Sequence, residues 1–215
     1  MRGILQGIAA AALVAACAGC AFTDVPLDMP ISGLATPHRG GNGRQVVVTL
    51  PFHDQRTQPQ RCGMQKNGYN MDTAKAVCRV EPTQWIAQLL ADELRATGFT
   101  VVAPGESHRP GALLIDGTLL QLFVEPLAGA FSVSCEADIS VRLVATSQTG
   151  LHAERIFYTK GLWKGFAGIT GPFQTSLQRG SEGILDDMVR AILEIMDRYP
   201  QLGRTRPATR ASCAS

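Results

Sequence analysis

The clearest pattern in the chain runs from Phe131 to Val144, where Val133, Cys135, Ala137, Ile139, Val141 and Leu143 alternate with Ser132, Ser134, Glu136, Asp138, Ser140 and Arg142. A period of two puts one set on a buried face and the other in water, so this stretch is predicted to be a strand of a half-exposed sheet. Ser147-Gln148-Thr149-Gly150 supplies a turn, and Leu151 to Leu162 is expected to return as the antiparallel partner. Ala112 to Glu125 predicts another long strand, in which Gly117 signals a bulge or close packing. Gln45 to Phe52 is a shorter β-branched run bounded by turn formers.

Two segments switch to a helical period. Trp85, Ile86, Leu89, Leu90 and Leu94 recur on one face of a helix expected to start at Thr83 as N-cap and to stop at Gly98. Ile184, Leu185, Met188, Val189, Ile192, Leu193 and Met196 define a second helix, expected from Ser181 as cap to the stop at Pro200. Strand, helix, three strands and helix is not the alternation of a doubly wound parallel fold. It predicts an α+β fold: a mainly antiparallel sheet with two amphipathic helices on one face, a two-layer sandwich. His53 to Val80 is expected to be a loop, and Trp163 to Phe173 a Gly-rich connection to the second helix.

The ends differ from this body. Arg2 precedes an apolar stretch from Ile4 to Ala16, too short for a membrane span, which needs about 20 residues. It ends in Leu13-Val14-Ala15-Ala16-Cys17-Ala18-Gly19-Cys20, which resembles the lipobox of bacterial lipoproteins. The aliphatic residue three places before Cys17 favours Cys17 as the lipidated residue, with Cys20 as the alternative. Acyl chains on that cysteine would hold the protein to a membrane. Neither cysteine is followed by Asp, and the resemblance therefore implies the outer membrane, facing the periplasm. This divides the chain into a signal peptide (1–16), an anchor and flexible tether (17–44), one α+β domain (45–200) and a disordered tail (201–215).

Composition narrows the function. With 20 basic and 18 acidic residues among 215, the net charge of +2 lacks the concentrated basic surface that nucleic acid requires. Export makes cysteine pairs disulfides rather than metal ligands. Cys62 and Cys78 flank a polar loop and form the expected pair; Cys135 and Cys213 could form another. No Cys-x-x-Cys or His-x-x-x-His spacing marks a metal site in the domain, and no cofactor is expected. His53-Asp54 could form an acid/base pair, although loop neighbours usually point apart; His38, His108 and His152 read as surface residues. Gly165, Gly168 and Gly171 lack the Gly-Lys-Ser/Thr ending of a phosphate loop, and no nucleophile motif of the common hydrolases occurs. An enzyme is therefore not expected; an envelope hydrolase would need a cleft joining His53 or His152 to a carboxylate. Trp163, Phe166, Ile169 and Phe173 place large apolar groups on the Gly-rich loop, either as anchors for a partner or as core. Arg204, Arg206 and Arg210 could meet anionic lipid or peptidoglycan phosphates, or simply be solvated.

Several strings resemble the YajG family of bacterial lipoproteins: Asp54-Gln55-Arg56 after the first strand, Leu89 to Gly98 leading into Phe99-Thr100-Val101, Glu136-Ala137-Asp138-Ile139-Ser140-Val141 with Ala145-Thr146-Ser147 and Gly150, and Phe173-Gln174-Thr175-Ser176. The Cys62–Cys78 loop departs from the shorter members. The resemblance implies an outer-membrane lipoprotein with an α/β domain and no catalytic residues. Together these features predict a non-enzymatic binding or assembly module, tethered by lipid and presented to an envelope protein. The alternative is a carrier of lipid or another hydrophobic ligand, auxiliary to an envelope transport system, with its ligand between helix and sheet.

Overall fold

The computed structural model of the protein describes residues 23–31, 33–108, 111–129, 132–165 and 171–204. Among the described residues, nine strands and two helices follow in the order β1 (Val25–Leu27), β2 (Gln45–Val48), β3 (His53–Asp54), β4 (Gly63–Lys66), β5 (Asp72–Cys78), α1 (Pro82–Ala96), β6 (Thr100–Val102), β7 (Leu113–Ala128), β8 (Val133–Thr146), β9 (His152–Gly165) and α2 (Pro172–Arg198). This is the α+β arrangement that the alternation and the helical stripes predict.

The sheet is organised around β7. Along one side, β7 pairs with β8 over its whole length, and β8 pairs in turn with β9, both antiparallel. Along its other side lie the short strands β2, β3 and β4, all parallel to it. The long ladders are therefore antiparallel, as expected, but short parallel pairings complete the sheet. β2 also pairs in parallel with β6 after the crossover through α1, and β1 with β5. One core joins both helices to the sheet. Ile86, Leu90 and Leu94 of α1, Leu177, Ile184, Leu185, Met188 and Ile192 of α2, and Leu113, Ile115, Leu119 and Ile139 of the strands are all fully enclosed. Burial of these side chains is the main source of stability.

Several boundaries differ from those the sequence predicts. The segment expected as a tether is packed on the domain from Val25 onward: β1 pairs with β5, Leu27 and Met29 are buried, and Trp85 Nε1 donates to the Pro30 carbonyl at 2.6 Å. Its last residue, Arg44, is buried and donates to the Met196 carbonyl at 2.7 Å, satisfying an orphan acceptor at the end of α2. The tail also begins later than expected, because Leu202 is buried and the Gly203 carbonyl accepts from Gln45 N at 3.0 Å.

The expected loop 53–80 contains β3 and the β4–β5 hairpin, whose buried Ala74 and Ala76 are too small to leave a strong hydrophobic signal. Helix α1 starts at Pro82, which needs no N–H partner in the first turn; Thr83 is inside the helix, not its cap. Helix α2 starts nine residues before Ser181, again at a proline. Ser181 is buried within it and donates to the Gln178 carbonyl at 2.8 Å. Gly180 and Gly183 allow α2 to lie against β9. Gly117 serves close packing: a Cβ there would lie 2.5 Å from Phe52 Cζ, while the register shift of β7 falls beyond it, between Leu119 and Gln121.

Candidate binding surface

With both helices on one side, the opposite face of β7, β8 and β9 is left open. The alternation that buries Cys135, Ala137, Ile139, Val141 and Leu143 sends Glu136, Asp138, Ser140 and Arg142 outward. Strand β9 adds Glu154, Ile156, Tyr158 and Lys160 to the same face, and β7 adds Gln121, Phe123 and Glu125. The groups are paired rather than scattered. Lys160 Nζ lies 2.5 Å from Glu136 Oε2 and 3.4 Å from Asp138 Oδ1, and Tyr158 Oη donates to Asp138. Bonding to Glu136 holds the Lys160 ammonium well above its ordinary pKa, and donation to Asp138 raises that of Tyr158. Arg142 donates to Gln55 Oε1 at 2.9 Å. Ile156 (64% exposed) and Tyr158 (55%) stand out on this face as large apolar groups in water.

Where β7 shifts register, an open cleft of about 300 Å³ is lined by Arg56, Gln58, Arg61, Leu120 and Phe123. Arg56 is held rigidly: its guanidinium donates to Asp54 Oδ1 at 3.0 Å and Oδ2 at 2.8 Å, and to the Pro59 carbonyl at 3.0 Å. The same guanidinium holds the Asp54 carboxyl below the usual carboxylate range. Arg61 lies over the Phe123 ring at 5.5 Å from its centroid, a cation–π contact. The Cys62 and Cys78 sulfurs are at disulfide distance, with Cα atoms 5.7 Å apart, and tie the start of β4 to the end of β5 beside this cleft. A second groove, of about 270 Å³, runs between Pro30, Ile31 and Val80 and the Trp85 and Leu89 side of α1.

The predicted residues are distributed unevenly over these features. Trp163 and Phe173 are half-buried and packed against the core, so the described part of the apolar loop folds inward. Phe166 and Ile169 lie outside the described residues, as do Cys17, Cys20, Cys213, Arg206 and Arg210. Cys135 is fully buried beneath α2, with Ser176 Oγ 3.3 Å from its sulfur, and burial pushes its thiol up to about 11.

His53 and Asp54 diverge as strand neighbours do. Asp54 takes Arg56, and exposed His53 has its Nε2 3.5 Å from Asp116. Exposed His152 opens β9, and the Nδ1 of exposed His108 lies 3.4 Å from the carbonyl of Glu106. The shortest His–carboxylate contact is one the sequence did not signal: His38 Nε2 lies 2.6 Å from Asp186 Oδ1, a bond that pins the 33–44 segment to α2. Among the described residues no cluster of His, Cys, Asp or Glu is arranged to hold a metal ion. The void between sheet and α2, lined by Ile115, Leu143, Phe157 and Ile192, is about 20 Å³, room for a single water. Between α2 and the sheet, the space for a carrier's ligand is therefore filled by side chains.

Ile156 and Tyr158 of β9 gave no signal, since Leu151 to Leu162 carries no strict alternation; the wet face of β8 was legible in its own alternation. The Arg56–Asp54 lock and the cleft were not, because they depend on β3 and β4, whose two- and four-residue runs carry no period.

No family model matches the sequence, and no curated protein matches it. Among solved structures, a Xanthomonas campestris protein of family DUF330 superposes with a TM-score of 0.59 at 10% identity, covering 82% of this chain and 99% of that one. The two share a fold. A minor lipoprotein from Acinetobacter baumannii matches with a TM-score of 0.35 at 12% identity, covering 74% of this chain and 100% of that one. Among the described residues no helix is long and apolar enough to cross a membrane.

Proposed function

We propose that this chain is a lipid-anchored lipoprotein of the outer membrane, similar to the YajG family, whose domain faces the periplasm and acts as a non-enzymatic binding or assembly module for an envelope protein. The observation that carries the proposal is the pairing of a filled interior with an open, chemically varied sheet face. A module that binds a macromolecule needs a broad face bearing aromatic and arginine groups, and the Phe123, Arg61, Arg142 and Tyr158 region supplies one. A carrier with its ligand between helix and sheet would need a cavity of several hundred Å³, and only about 20 Å³ is free there. The lipobox at Cys17 or Cys20 supports the membrane address.

Photo-crosslinking from Phe123 and Arg142 on the open face, compared with Gln88 on α1, tests this in intact cells. A discrete envelope protein captured from the sheet face and absent from the α1 control is the expected result. Equal labelling from both positions, or none from either, would remove the sheet face as the binding surface.

A further inference from the structure

The long strand β9 ends the sheet on one side, and among the described residues it pairs only with β8. The other edges are blunted. β1 has three residues with Pro26 in the middle, and β6 has three. β9 has fourteen residues, no proline and an unbroken register with β8. Its main-chain direction can be read from two bonds. The Phe157 carbonyl turns toward β8, where it accepts from Ser140 Oγ at 3.0 Å; the Leu162 carbonyl turns away and accepts from Arg179 Nη1 at 2.5 Å. Main-chain groups alternate in direction along an antiparallel strand, so those of Glu154, Ile156, Tyr158 and Lys160 face the free edge. Arg179 closes that edge at Leu162 and leaves 154–160 open.

We infer that this edge pairs with the same edge of a second copy of the chain, antiparallel about a two-fold axis at Phe157. This register is self-complementary. It sets Ile156 opposite the partner's Tyr158 and Tyr158 opposite the partner's Ile156, gathering these exposed groups of β9 into one cross-strand cluster. It also sets Glu154 opposite the partner's Lys160 at both ends of the ladder. Each Lys160 ammonium then bridges its own Asp138, 3.4 Å away, and the partner's Glu154. Hydrogen-bonding parity is satisfied as well, because every edge-facing residue meets another edge-facing residue. The dimer would join two sheets into one continuous open face, and the inference stands whether or not lipid anchors the chain.

The test uses the full chain purified in detergent. Sedimentation over a range of concentrations should show a monomer–dimer equilibrium. Ile156→Lys and, separately, Glu154→Lys should each weaken the dimer by about tenfold or more, since each replaces a favourable cross-strand pair at the centre or end of a short ladder. Both positions are exposed, so neither change disturbs the core. Oxidation of an I156C/Y158C variant should give a covalent dimer whose linked peptides join position 156 of one copy to 158 of the other. A chain that stays monomeric, a dimer that both lysine variants leave intact, or a dimer without the 156-to-158 link would each overturn the inference.

Discussion

Gly161 of β9 and Gly180 of α2 meet backbone to backbone. A Cβ on Gly161 would lie 2.9 Å from Gly180 Cα, and closer still to Gly180 N and the Ser176 carbonyl oxygen. The contact seats the helix on the sheet along the strand whose other face is open, and Thr159 Oγ1 reinforces it by donating to the Gly180 carbonyl at 2.8 Å.

Gly161→Ala should therefore destabilise the protein by about 2–3 kcal/mol, because backbone cannot retreat as a flexible side chain can. Gly183→Ala offers the contrast. Its Cβ would meet the Thr159 side chain, with the methyl nearest at 3.3 Å, and alanine gains helix propensity, so stability should change by less than about 1 kcal/mol. Urea midpoints of the two variants decide the matter; equal losses would contradict the close approach.

The Cys62–Cys78 pair, 16 residues apart, should contribute about 3 kcal/mol by restricting the unfolded chain. A Cys62→Ser/Cys78→Ser variant should unfold at correspondingly lower urea, and reductant should lower the native protein's midpoint toward that of the variant while leaving the variant unmoved.

Asp54 gives a pH signature. Its folded-state pKa is depressed by Arg56, so its contribution to stability is fully present above the unfolded value of about 3.9 and is lost as pH falls through the folded value. The stability difference between the native protein and Asp54→Asn should thus hold steady down to about pH 5 and shrink below about pH 4. A difference that is constant across this range would mean that Arg56 does not stabilise the charged carboxylate.

Cys135 should resist alkylation in the folded protein, since its thiol is buried and raised to about 11, and should react fully in denaturant. Peptide mass spectrometry before and after unfolding reads this directly. Among the described residues Cys135 is a free thiol, and a link to Cys213, which the sequence left open, would instead leave it unreactive even when unfolded without reductant.

How much of the molecule was legible depended on run length. The strict alternation of β8 specified both its buried and its open face, and the stripe of α1 specified its core. Strands of two to four residues are too short to show such an alternation. β1, β3 and β4 are placed by their pairing with strands distant in sequence, so the segment before Arg44 and the loop after His53 read as unstructured. In α2, Gly180 sits in the turns before Ser181 for contact with β9, a tertiary demand that overrides helix propensity. The apolar Gly-rich loop was half legible: Trp163 and Phe173 are large and apolar for the sake of packing, which composition cannot distinguish from binding.

The central claim, a binding module carried on a lipid anchor, is tested most directly by intact mass spectrometry of the protein from separated membranes, alongside Cys17→Ser and Cys20→Ser variants. The account predicts an outer-membrane species with a triacyl mass increment that one of the two substitutions abolishes. An unmodified chain in the soluble fraction, or a lipid mass unaffected by either substitution, would contradict it.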